Sequence, residues 1–173
     1  MKIRTFLTTA IITLAAPAAA SACTGADLDP SAATPKQTRA AVVCLVNAER
    51  AAHGLGALRR ARPLATAART HAVDMVSRGY FAHETPEGTT PAERVARTGW
   101  TPETGRWYVG ENLAWGAPGN ATPRDTVRNW MNSPSHRENV LRPMFKEIGI
   151  GVVAGSPTGR PGAFTYAASF GRR

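Results

Sequence analysis

The chain reads as an α+β domain, with about four helices packed on a small antiparallel sheet. Three observations predict it. Thr34-Pro35, Arg62-Pro63, Thr90-Pro91 and Thr122-Pro123 each mark a helix start, because proline is tolerated in a first turn that does not need its N–H. The segments behind them carry apolar residues at helical spacing and stop at Gly or at Ser-Pro. The last third of the chain then changes to period-two alternation.

The first helix runs through "KQTRAAVVCLVNAERAAH" and stops near Gly54, with Val42, Val43, Leu45 and Val46 as its apolar stripe. The second, "LATAARTHAVDMVSR", ends at Gly79 and aligns Leu64, Ala68, His71 and Met75 on one face. The third starts at Thr90-Pro91, where Glu93 completes a capping box, and ends at Gly99. The fourth, "RDTVRNWMN", stops before Ser133-Pro134, which leaves "NSPSHRENV" as a loop-like stretch.

"FKEIGIGVVAG" puts Ile148, Ile150 and Val152 on one side of a strand, and "AFTYAASFG" does the same with Phe164, Tyr166, Ala168 and Phe170. The turn-rich "SPTGRPG" between them predicts an antiparallel hairpin. "WYVGENLAW" supplies a third strand, one side of which carries Trp107, Val109, Glu111, Leu113 and Trp115. Glu111 stands out in that apolar row, since a buried carboxylate without a partner is costly.

Ahead of the domain, Lys2 and Arg4 precede an apolar run that closes on Ala20-Ser21-Ala22. This is the pattern of a secretory signal peptide over residues 1–22, cleaved after Ala22. Residues 23–39 lead into the first helix, and residues 40–171 form the domain. No other stretch has the length of a membrane span. The expected product is an exported monomer of 151 residues. Cys23 and Cys44 are the only two cysteines, and an even count in an exported chain favours one disulfide. The competing reading lipidates Cys23, but "AASAC" lacks the leucine usual at such a site.

The whole chain carries +9, and +7 without Lys2 and Arg4. Arg59, Arg60 and Arg62 are its densest cluster, suited to anionic wall polymers or lipid head groups, or to ordinary solvation. Nucleic acid is a poor partner, because no basic-aromatic motif is present.

Four histidines limit the chemistry. His53 sits at a helix end and His71 on an apolar face, with Asp74 three residues on as a candidate partner. His83 follows "RGYFA", where Tyr80 and Phe81 should anchor a loop; His136 lies in the stretch after the fourth helix. With Glu111, these two imidazoles offer a three-ligand set for Zn²⁺ or a similar divalent ion. Their spacing is not a local metal motif, so only the fold can bring them together. Ser133 and Ser135 are better explained as cap or turn residues than as nucleophiles, since no G-x-S-x-G elbow is present.

"CLVNAERAAHGL", "THAVDMVSRGYFAH", "GENLAWG", "WMNSPSHRENVL" and "EIGIGV", in this order, resemble the CAP superfamily, also called the SCP/TAPS or antigen 5/PR-1 domain, in its short bacterial secreted form. The resemblance covers roughly residues 40–170. It implies an α-β-α sandwich and a cleft lined by two His and two Glu. His83, Glu111 and His136 match three of those positions; no acid lies between Asp125 and His136, and Ser133 falls near the fourth place. The resemblance further implies a binding module for a lipid, sterol-like or cell-wall ligand, or a protein partner, more than an enzyme. The alternatives are a metal-dependent hydrolase using His83, Glu111 and His136, and a cell-surface interaction protein.

Overall fold

The computed structural model describes residues 23–173. The expected signal segment and its cleavage after Ala22 lie outside the described residues. Cys23 and Cys44 form a disulfide with their Cα atoms 5.7 Å apart. A sulfur in that bond is not available for lipidation.

Among the described residues five α-helices surround one sheet: α1 (Pro35–Ala52), α2 (Arg62–Arg78), α3 (Pro91–Ala96), α4 (Pro123–Asn132) and α5 (Pro134–Leu141). The strands are β1 (Arg59–Arg60), β2 (Tyr108–Gly116), β3 (Glu147–Ala154) and β4 (Phe164–Arg172), in the order β1-β3-β4-β2. β2, β3 and β4 are antiparallel neighbours, as the alternation predicts. β1 is a two-residue parallel addition at the edge of β3, too short for any periodicity to reveal. The sheet is therefore mixed, inside the α+β class expected.

Capping explains the helix starts. Thr34 and Thr90 both form complete capping boxes, with Gln37 and Glu93. Thr122 accepts from the backbone of Asp125. Gly79 ends α2 at φ 70°, a left-handed value that costs glycine nothing. Ser133 is both the end of α4 and the N-cap of α5, so "PSHRENVL", expected as a loop, is a helix. His136 stands on that helix.

The two faces of the sheet are covered differently. On one, Val42, Leu45 and Val46 of α1, Val127 and Trp130 of α4 and Val140 of α5 meet Ile148, Ile150, Val152, Tyr166 and Phe170 in one apolar core. On the other, α2 lies against glycines: a Cβ at Gly149 would overlap the backbone of Ala65, and one at Gly151 would come within 2.5 Å of the Arg69 Cα. Trp100, Leu64, Ala67 and Val95 fill one end of that face. Met75, Ala72, Leu113 and Ala167 fill the other. This second face carries the site.

Candidate functional site

The pleat of β2 turns Glu111 to the α2 face, in register with Ser169 of β4 and Gly149 of β3. Glu111 is only 7% exposed. Its cost of burial is met by a residue that the sequence did not single out. Arg94 of α3 places Nη2 at 2.9 Å from one carboxylate oxygen and 3.1 Å from the other. The same nitrogen donates to the His83 carbonyl at 2.7 Å, and Nη1 donates to the Thr89 carbonyl at 2.8 Å. Arg94 is itself buried, so the pair is a desolvated ion pair held by backbone acceptors. Nothing local in "PAERVART" separates Arg94 from Arg97 as the inward one. A buried acid demands a cation, but the demand does not say which.

His83 completes the cluster. Its Nδ1 donates to Glu111 at 3.0 Å, while its side chain stays 53% exposed. Tyr80 does brace the start of this loop, donating to Asp74, but Phe81 is 46% exposed and anchors nothing. His71 is the buried core histidine expected, yet Asp74 is not its partner. Its Nε2 donates to the Ala82 carbonyl at 2.8 Å and comes within 3.9 Å of Glu111. Burial, the largest cause, holds the His71 imidazole below its ordinary basicity, and Arg94 adds to this while Glu111 opposes it.

His136 reaches the same neighbourhood through α5. Asn112 donates to the His136 carbonyl at 2.9 Å; Asn139 donates to the Glu111 carbonyl at 3.1 Å and to the Asn112 side chain at 3.0 Å. These two asparagines, unnoticed in the sequence, pin α5 to β2. Burial lowers the basicity of His136, and the charge of nearby His83 lowers it further.

The three expected residues therefore gather around the edge strand β2, but not as a ligand set. Among the described residues no group of three or more His, Cys, Asp or Glu is placed to hold a metal ion. Both Glu111 oxygens already accept from Arg94, and His83 holds one of them as well. A divalent ion there would face the guanidinium at close range, so these residues do not fit a resident divalent cation.

A hollow lies beside the cluster rather than over it. A cavity of about 430 Å³ between α2, the loop after it and α3 is lined by Thr66, Thr70, Thr85, Thr89 and Thr98, with His71 and Arg94 in its wall. The Arg94 Nε is buried with no hydrogen-bond partner among the described residues.

A profile described as the cysteine-rich secretory protein family, CAP, matches residues 43–168. The chain belongs to the CAP family. An uncharacterized protein of Bacillus subtilis (strain 168), YkwD, is 39% identical over 112 residues, 65% of this chain and 41% of that protein. The CAP fold here resembles an extracellular protein containing a SCP domain from Bacillus anthracis str. Ames, with TM-score 0.62, 27% identity, and coverage of 82% of this chain and 44% of that one. It resembles an outer surface protein of Borrelia burgdorferi in fold, with TM-score 0.63 at 22% identity over 76% of this chain and 90% of that one. The chain thus spans less than half of the YkwD and Bacillus anthracis proteins. In this CAP domain Ser133, near the place of the missing acid, is the junction of α4 and α5, and its side chain makes no capping bond to α5.

Proposed function

We propose that this CAP domain is an exported, non-catalytic binding module whose ligand is a hydroxyl-rich component of the cell envelope. Residues 1–22 would deliver it and residues 23–39 lead into the domain. The observation that carries this reading is the commitment of Glu111. With Arg94 on both oxygens and His83 on one, the carboxylate is a fixed structural anion rather than a free base. What remains open to solvent is recognition chemistry: the second ring nitrogen of His83, the neighbouring His136, and a cavity whose threonines present hydroxyls and methyls together. An acceptor brought into that cavity would also satisfy the Arg94 Nε, which now lacks one. A fatty acid or sterol-like ligand fits this lining less well, since it would leave the Thr70 and Thr89 hydroxyls unpaired and lie against the charged Asp74, Arg78, Glu87 and Arg97.

The 3.0 Å contact between His83 and Glu111 is the one observation that favours a hydrolase, with His83 as base. Equilibrium binding of soluble wall saccharide fragments and of a fluorescent fatty acid to residues 23–173 separates the readings. We expect the saccharide to bind, and Thr70→Val/Thr89→Val to weaken it by about tenfold, the effect of two lost hydrogen bonds. Preference for the fatty acid would replace the ligand class. Hydrolysis of an ester or peptide library that vanishes in His83→Ala and His136→Ala would overturn the non-catalytic reading.

A further inference from the structure

We propose that the groove along the outer edge of β3 is a second binding site, for an extended phosphate-bearing polyanion. It does not depend on the ligand of the threonine-lined cavity, with which it shares Thr66 of α2 and no other lining residue.

Two hollows carry the inference. One, of about 410 Å³, is lined by Lys36 and Arg39 of α1, Arg60 of β1, Arg62 of α2 and the β3 segment Ile148–Ile150. The next, of about 230 Å³, is lined by Arg39, Arg62, Thr66, Arg69 and Ile150. Arg39, Arg62, Ala65 and Ile150 line both, so the two form one continuous channel. Lys36, Arg39, Arg60, Arg62 and Arg69 come from three elements, α1, β1 and α2, and no lining residue is acidic.

These five cations are unspent; Arg97, Arg106, Arg160 and Arg172 also make no side-chain ion pair or hydrogen bond among the described residues, but they line neither hollow. Arg94 holds Glu111, Arg78 holds Glu87, Arg142 holds Glu138 and Arg128 holds Asp125. Arg59, the neighbour of Arg60, holds Glu147. None of the side chains of Lys36, Arg39, Arg60, Arg62 and Arg69 makes an ion pair or hydrogen bond among the described residues. Five like charges along one groove repel each other, an arrangement that an anion relieves. The backbone adds to this. α2 starts at the groove with no side-chain cap at Ala61, so the positive end of its dipole faces the same channel. β1 pairs with β3 only as far as Ile148, leaving the outer edge of β3 beyond it without a strand partner among the described residues.

The shape selects the ligand. A concave channel with charges along its length suits a chain of repeated anions, which can lie inside it, better than a flat bilayer surface, which meets charges on a protruding face. The exposed large apolar residues are Leu28, Val73, Phe81 and Tyr108, and none lines the groove. No aromatic residue lines it either, so stacked single-stranded bases find no platform. Four of the five cations are arginines, whose planar forks match phosphate oxygens in pairs.

The test uses inorganic polyphosphate as the probe, on residues 23–173, at two salt concentrations. Arg39→Gln/Arg62→Gln removes the two cations common to both hollows; Arg106→Gln/Arg172→Gln removes the same charge from exposed residues elsewhere. Circular dichroism and melting curves confirm that both variants fold. We expect the groove variant to bind polyphosphate at least about tenfold more weakly and with a shallower salt dependence, and the control to change by less than about twofold. Equal losses in both variants would overturn the site, because net charge alone would then account for binding. So would an unchanged groove variant. Anionic lipid vesicles competing better than polyphosphate, with the same loss in the groove variant, would overturn the polymer in favour of a membrane surface.

Discussion

The two faces of the sheet bury comparable elements by opposite means. Under α1, α4 and α5 the interface is filled with branched and aromatic side chains and behaves as an ordinary apolar core. On the face under α2 and α3 the α2 backbone rests on Gly149 and Gly151, and the interface holds two buried acids. Glu111 is matched by Arg94 and His83. Glu147 is matched by Arg59, by the Trp100 indole at 2.6 Å and by Arg173 at 3.5 Å. The acids differ in where their partners lead. Those of Glu147 fix Trp100 and the end of β4 and reach solvent as guanidinium groups, through Arg59 and Arg173, whereas the contacts from Glu111 reach solvent as an imidazole, His83. Burial of a carboxylate is thus a packing feature on this face, and the kind of group at the exposed end of its network distinguishes the site.

The largest test of this contrast removes the cation. Arg94→Met should destabilise the domain by about 3–5 kcal/mol, because Glu111 is left buried without its main partner. Arg94→Met/Glu111→Leu should recover much of that loss in a denaturant titration. A single variant as stable as the parent would mean that the second face does not depend on its ion pair.

Gly149→Ala comes next, with an expected cost of about 3 kcal/mol from the collision with the Ala65 backbone. Ala168→Gly, on the other face of the sheet, should cost about 1 kcal/mol. Similar melting temperatures for the two would erase the distinction between close backbone contact and side-chain filling.

The smallest effect is in pH. His71 is buried with its basicity lowered, so the unfolded chain binds a proton more readily than the folded one. Stability is then complete above the ordinary imidazole value of about 6.5 and falls as the pH drops below it. His136 contributes in the same direction. A melting temperature that stays flat from pH 7 to about pH 5, or a decline unchanged by His71→Gln, would show that the apolar side sets acid tolerance.

Much of this was legible. Thr34-Pro35, Thr90-Pro91 and Thr122-Pro123 carry local capping chemistry, and all three open helices. Ser133-Pro134 has the same form and also opens one, but it follows so closely on α4 that it reads as a stop. Glu111 was legible as an anomaly within its strand, and Cys23–Cys44 from an even count of cysteines in a chain expected to be exported. Arg94 was not, since its link to Glu111 spans two elements and follows no periodicity. Asn112 and Asn139 escaped for the same reason, their roles being set by how α5 docks on β2.

The bridge between Cys23 and Cys44 closes a span of 21 residues and fastens the leader, whose Ala26 joins the apolar core and whose Asp27 meets Arg124 at 2.5 Å. Cutting it with a reductant should release about 3 kcal/mol of chain constraint. The leader is then held by the buried side chains of Ala26 and Pro30, by the backbone bond from the Arg124 N–H to the Ala26 carbonyl, by the Gly119 N–H on Asp29 and by a surface ion pair. Its attachment becomes a record of the redox history of the molecule: a copy that has never met an oxidant carries a loose first segment open to proteases, and one that has met it does not.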